Sequence, residues 1–266
     1  MKKIALITYR FLIAFWINWI HFIYGLKNFP RYILTYRKLR GGNSDTFWKI
    51  YCSYPCLHDK DDDSWTARGH YFHQDLLIAQ KIFKTNPKKH VDIWSRVDWF
   101  VAHIATFREI EVLDIRKNNA VIENIRFIQG DATSENTTYI NYCDSVSCLH
   151  AIEHFWLGRY WDDIDIKWHI KGIRFITRML KTWWKLYFST PISKKQRIEF
   201  NAHRIFSLNY LNELLWIWEI YHLLSFSYVD DEWKLHKNQS LEIWKKDTFN
   251  LEYWCWIFEL IKVKDF

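Results

Sequence analysis

Glycine is scarce in this chain. There are 7 glycines in 266 residues, where average usage would give about 18. Turns and close backbone approaches draw on glycine because it has no Cβ and enters positive φ freely. No G-x-G-x-x-G occurs, which argues against a nicotinamide-dependent enzyme. Acidic residues are missing from one region. Residues 1–44 hold eight Lys or Arg and no Asp or Glu, whereas 45–266 hold 29 basic and 30 acidic residues. The net charge of +7 therefore belongs to a tail. No basic, aromatic-interleaved surface runs through the body, so nucleic acid is not an expected partner. Five cysteines are too few for a disulfide framework at this length. Cys52 and Cys56 sit four apart with no second Cys or His pair at metal spacing, so no metal site is expected. Unpaired thiols suit a cytoplasmic protein.

Tryptophan, by contrast, is abundant, with 17 residues. Ile4 to Leu26 is apolar apart from Arg10 and a few polar groups. The stretch is long enough to span a bilayer. The expectation is an amphipathic helix packed on the body or lying on a membrane, whose anionic headgroups attract basic segments such as residues 1–40. Gly41-Gly42-Asn43-Ser44 ends this tail. The acidic run Asp59 to Asp63 reads as a solvated loop. Three regions follow: a basic, apolar helical tail (1–44), a lead-in segment with a helix (45–88) and a main domain (89–266).

From residue 74 the pattern is regular. Leu76, Leu77, Ala79, Ile82 and Phe83 have helical spacing, stopped by Asn86-Pro87. Seven strands are predicted: 90–93, 109–115, 125–128, 145–149, 185–190 (stopped by Pro191), 223–229 and 257–263. Helices are predicted over 97–104, 170–180 and 208–215. This alternation predicts a mostly parallel sheet with helices on both faces. Ligands bind such sheets beyond the carboxyl ends of the strands.

The strand ends carry acids. Asp92 lies within the apolar first strand, and a buried acid needs a partner. The second strand ends in Asp114, followed by Ile115, and the third leads into Asp131. An acid ending the second strand is the usual partner of ribose hydroxyls, because a carboxylate can accept two hydrogen bonds. The fourth strand runs into Leu149, His150, Glu153 and His154.

This run resembles the class I S-adenosylmethionine-dependent methyltransferases, which implies a Rossmann-like, doubly wound α/β fold. The resemblance assigns S-adenosylmethionine to Asp92, residue 94, Asp114, Ile115, Asp131, Leu149 and His150. A narrower resemblance rests on three segments: Gly69 to Asp75, Leu149 to Asp165 and Glu199 to Arg204. Together they are similar to the family called domain of unknown function 268, over about residues 50–263. The stretch Ser147 to Asp165 is long and unusual enough to be specific.

The departures share one form. Trp65, Trp94, Trp99, Trp156, Trp161, Trp168, Trp183, Trp184, Trp233, Trp254 and Trp256 stand where the family has glycine. An indole at 94 would occupy cofactor space, and Trp183-Trp184 replaces a tight turn. Some bacterial lineages read UGA as glycine, whereas a common alternative code reads it as tryptophan. Translation with the wrong code would produce this pattern, and UGG codons at these positions would refute it. With Trp94 the chain is expected to bind cofactor poorly or not at all; with glycine there, to bind it.

Methyl transfer often needs a base to take the acceptor's proton. Glu153, His154 and His203 are the catalytic candidates, and Arg159 and Arg204 could bind an anionic acceptor. The expected acceptor is a small molecule or a glycan. A non-catalytic module that keeps the fold is the alternative.

Overall fold

The computed structural model describes residues 8–9, 12–13, 18–42, 50–51, 55–57, 69–95, 97–134, 137–158, 164–193, 195–200, 202–215, 219–240 and 254–265. Arg159, Trp65, Trp161, Cys52 and the Asp59–Asp63 run lie outside them. The chain divides into two compact units, Met1–Thr66 and Ala67–Phe266.

In the first unit, helix α1 (Trp19–Gly42) has no buried residue. Trp19, Phe22, Ile23, Leu26 and Phe29 are all exposed. Its charges are all basic: Lys27, Arg31, Arg37, Lys38 and Arg40. Among the described residues no helix is long and apolar enough to cross a membrane.

The second unit starts with helix α2 (His70–Thr85), which buries Leu77, Ile78 and Ile82. Asn86 stops it in the left-handed conformation, its N–H bonded to the Ile82 carbonyl. Then follow β1 (His90–Ile93), a π-helical turn (Val97–Val101) running into α3 (Ala102–Ala105), β2 (Ile110–Asp114), β3 (Ile125–Gln129) and β4 (Cys143–Leu149). Helix α4 (Trp168–Met179) leads straight into β5 (Leu180–Ile192). The rest is β6 (Arg197–Glu199), β7 (His203–Ile205), α5 (Leu208–Leu215), β8 (Tyr221–Val229), β9 (Leu235–His236) and β10 (Trp254–Lys262).

The main sheet has the order β3-β2-β1-β4-β5-β10-β8-β9. β1 to β5 pair in parallel, and β10 is antiparallel to both its neighbours. Alternate residues of each strand face opposite sides. Leu186 and Phe188 join α4 and α5 in one core, while Tyr187 between them joins α2 and α3 in the other. The mostly parallel sheet with helices on both faces is thus as expected, but among the described residues it has eight strands rather than seven. The eighth, β9, is two residues long and, among the described residues, pairs only with β8. Pro191 does not stop β5; it pairs with Cys255 of β10 and the strand runs on to Ile192. A further hairpin, β6–β7, carries His203 and Arg204.

The backbone singles out four tryptophans. Among the described residues nine non-glycine residues have positive φ; four are Asn, one is His150, and the others are Trp94 (67°), Trp156 (55°), Trp183 (70°) and Trp233 (64°). Asn tolerates this region, whereas a bulky side chain there is a strained outlier. Trp183 lies in a bulge of β5. Between the pairs Cys143–Leu180 and Ser145–Lys185, one residue of β4 stands opposite four of β5. Its indole is 68% exposed, so little burial offsets the strain. Trp183→Gly is expected to stabilise the protein by about 1–2 kcal/mol. Thermal unfolding would show this as a rise of about 2–4 °C per kcal/mol; a fall would refute the strain. Trp256 differs, being fully buried between Phe226 and Phe258.

Candidate functional site

Asp92 sets the first turn. It is fully buried in β1 and accepts hydrogen bonds from the Ser147 hydroxyl (2.5 Å), the Ser95 hydroxyl (3.0 Å) and the Ser95 N–H (2.9 Å). Burial nevertheless pushes its carboxyl up to about 6. The chain leaves β1 at Trp94, whose N–H bonds to the Leu113 carbonyl at 3.0 Å. The indole is buried against Phe155, with ring centroids 4.4 Å apart, and the Arg116 guanidinium sits 5.9 Å over it.

Asp114 ends β2 almost fully buried. Its carboxylate accepts the Arg116 backbone N–H (2.8 Å) and both Nε and a terminal nitrogen of the Arg116 side chain (3.0 and 2.5 Å). Beside it opens a cavity of 320 Å3 lined by Ser95, Val97, Asp114, Arg116, Asn118 and Phe127 among others. Ile115 packs half-buried on the core. Asp131 turns back on its own loop, accepting the Thr133 N–H (2.8 Å) and hydroxyl (2.6 Å).

At the end of β4, Leu149 is buried and His150 turns the chain at φ 48°. The His150 N–H reaches the Ser189 carbonyl and hydroxyl, each at 3.1 Å. Its Nδ1 lies 3.0 Å from Glu153 Oε1. Burial holds the imidazole down at about 3 and raises the Glu153 carboxyl, so the contact is a hydrogen bond rather than an ion pair. Glu153 sits on a short 3-10 turn, Ile152–His154. Gly172 lets α4 close on that turn: a Cβ there would lie 2.6 Å from Ile152 Cδ1. His154 Nδ1 must carry its proton, because it donates to the Ala202 carbonyl at 2.7 Å. Its ring meets His203 edge-on at 5.9 Å. Glu153, His154 and His203 are therefore brought together.

Arg204 is not placed as expected. It is buried, and its guanidinium donates to the carbonyls of Phe155 (2.6 Å), Asp165 (2.9 Å), Ile166 (3.1 Å) and Glu153 (3.5 Å). Both terminal nitrogens of the guanidinium are thus engaged with main-chain carbonyls on either side of the 159–163 stretch.

Four residues at the start of α2 belong to the site although sequence reasoning gave them no role. The His70 ring stacks on His150 at 5.2 Å, nearly parallel, and Tyr71 meets its edge at 5.3 Å. Gln74 Oε1 accepts the Ser189 hydroxyl (2.5 Å) and the Cys255 thiol (3.3 Å), and its amide donates to Asp75 (3.0 Å). Burial pushes the Asp75 carboxyl up to about 7, and Asp92 adds repulsion. The available signal was Gln74 and Asp75 at core-facing spacing before Leu77 and Ile78.

Residues 101–252 match the model of the family described as Caenorhabditis protein of unknown function, DUF268. No curated protein matches the chain. Among solved structures it is similar to the Burkholderia thailandensis 1,6-didemethyltoxoflavin-N1-methyltransferase with bound 1,6-didemethyltoxoflavin and S-adenosylhomocysteine. The TM-score is 0.50 at 13% identity, covering 71% of this chain and 79% of that one. It is also similar to the [4+2]-cyclase SpnF, with a TM-score of 0.51 at 13% identity, covering 76% and 86%. At this identity the likeness is one of fold. The two differ in reaction, so the fold leaves the chemistry to the site.

Proposed function

The chain belongs to the DUF268 family, and on that footing we propose that it is an S-adenosylmethionine-dependent methyltransferase acting on a small molecule or a glycan, as in surface polysaccharide biosynthesis. The observation that carries this is Asp114, a carboxylate at the end of β2 beside a 320 Å3 cavity, where a ribose would take two hydrogen bonds. Asp92, Asp131, Leu149 and His150 line the same strand ends, and Ile115 continues β2. These residues fit the cofactor; Trp94 does not, because its buried indole fills space beyond β1, and glycine there would fit. S-adenosylmethionine, when bound, supplies an electrophilic methyl group. Glu153, His154 and His203 are the proton-handling candidates. Calorimetric titration with S-adenosylhomocysteine tests the reading. Binding to the Trp94→Gly protein that is lost in an added Asp114→Ala supports it; no binding in either form overturns it and favours a non-catalytic module.

The proposal extends to location, at the inner face of a membrane. Helix α1 carries five basic residues, no acid and a run of exposed aromatics. Each basic residue near an anionic surface is worth about 1 kcal/mol. The full chain is expected to sediment with phosphatidylserine vesicles, and Lys27→Glu, Arg31→Glu and Lys38→Glu together should release it. Equal retention by phosphatidylcholine vesicles would show that charge is not the cause.

A further inference from the structure

The imidazole of His150 is held from several sides, and one ring nitrogen is left over. Its side chain and that of Glu153 are each 1% exposed, with Nδ1 and Oε1 3.0 Å apart. A carboxylate only accepts hydrogen bonds, so with Glu153 ionised the proton sits on Nδ1 and the lone pair on Nε2. Among the described residues, Nε2 is buried and meets no hydrogen-bond partner. The ring cannot swing freely. His70 stacks on its face, Tyr71 abuts its edge, and the His150 backbone N–H is fixed on Ser189. The Gly69–Asp75 segment, so far without a role in the chemistry, thus forms the frame around this ring. Gln74 extends the frame, since the same Ser189 hydroxyl donates to it.

We propose that His150, oriented by Glu153 and framed by His70 and Tyr71, accepts the proton of a neutral O–H or N–H acceptor at Nε2. The inference rests on the methyl-transfer reading only for the fate of the deprotonated acceptor. In the step itself the Nε2 lone pair forms an N–H bond, and the acceptor's X–H bond breaks with its electron pair staying on X. The imidazolium then donates its Nδ1–H to the Glu153 carboxylate, which offsets the new charge. A neutral acceptor is specified because a neutral imidazole gains no charge attraction for an anion and Arg204 is tied to backbone carbonyls.

The alternative is a protonated Glu153 that donates to Nδ1, which places the ring proton on Nε2 and makes His150 a donor. Nitrogen-15 NMR of the histidine-labelled full chain separates the two between pH 6 and 9. The expected His150 Nε2 signal is that of an unprotonated ring nitrogen. Glu153→Gln should move the proton to Nε2, because its amide can donate to Nδ1. A protonated Nε2 in the unmutated chain overturns the proposal, and that readout needs no variant to fold. Titration of the Trp94→Gly chain with S-adenosylhomocysteine tests the cofactor separately. Failure there, with Nε2 unprotonated, removes methyl transfer but leaves His150 as the proton acceptor.

Discussion

Replacing Trp94 with glycine is expected to tighten S-adenosylmethionine binding at least about 100-fold, a gain of roughly 3 kcal/mol. One change acts on binding and the other on folding. The indole leaves the space beyond β1, and the residue at φ 67° no longer carries a Cβ in the left-handed region. That strain is worth about 1–3 kcal/mol. Against it stands the loss of a buried indole packed on Phe155, which costs about 3–5 kcal/mol in folding. The cofactor-free variant should therefore melt below the unmutated chain. Saturating cofactor should restore much of the difference, because ligand at 100 times Kd adds about 2.7 kcal/mol. Calorimetry and thermal unfolding read both halves. Equal affinity in the two proteins would mean that the indole does not compete with the cofactor.

Arg204→Ala should produce the largest loss of stability. Four carbonyls, on Glu153, Phe155, Asp165 and Ile166, lose their donor inside the protein. A buried acceptor left without a partner costs about 1–3 kcal/mol. With only some of them reaching water, the total is roughly 3–5 kcal/mol, a drop in Tm of about 10 °C. Arg204→Lys should recover little, because an ammonium cannot reach both sets of carbonyls as the planar fork does. An unchanged Tm in Arg204→Ala would show that the segment from 153 to 166 holds itself.

Strands β1, β2 and β4 were legible because both their faces are buried, so each appears as a short apolar run, and the acids at their ends stand out against it. Asp92 and Asp114 were found this way. The β6–β7 hairpin was not, since Arg197–Glu199 is exposed and carries no apolar pattern. Trp183-Trp184 suggest a turn before β5, but the strand is already running at Leu180 and the irregularity is a bulge within it. The role of α2 was hidden for another reason. His70 and Gln74 meet His150, Ser189 and Cys255, which are far away in sequence. Arg204 looked like an anion binder because its actual partners are main-chain carbonyls, which no side-chain pattern reveals. The tryptophans were legible twice, as a composition and then as backbone angles at 94, 156, 183 and 233.

The place of β10 has a consequence for how the protein is made. It is the last strand in sequence order, yet it sits between β5 and β8. During translation, β1 to β5 can pair as they emerge, but β5 then presents an open edge and, among the described residues, β8 has only the two residues of β9 beside it. Both edges stay unpaired until residues 254–262 leave the ribosome. For that interval the nascent chain offers hydrogen-bonding strands to any neighbour, the condition under which chains associate wrongly. A ribosome stalled before residue 254 would hold a half-sheet that cannot close on itself.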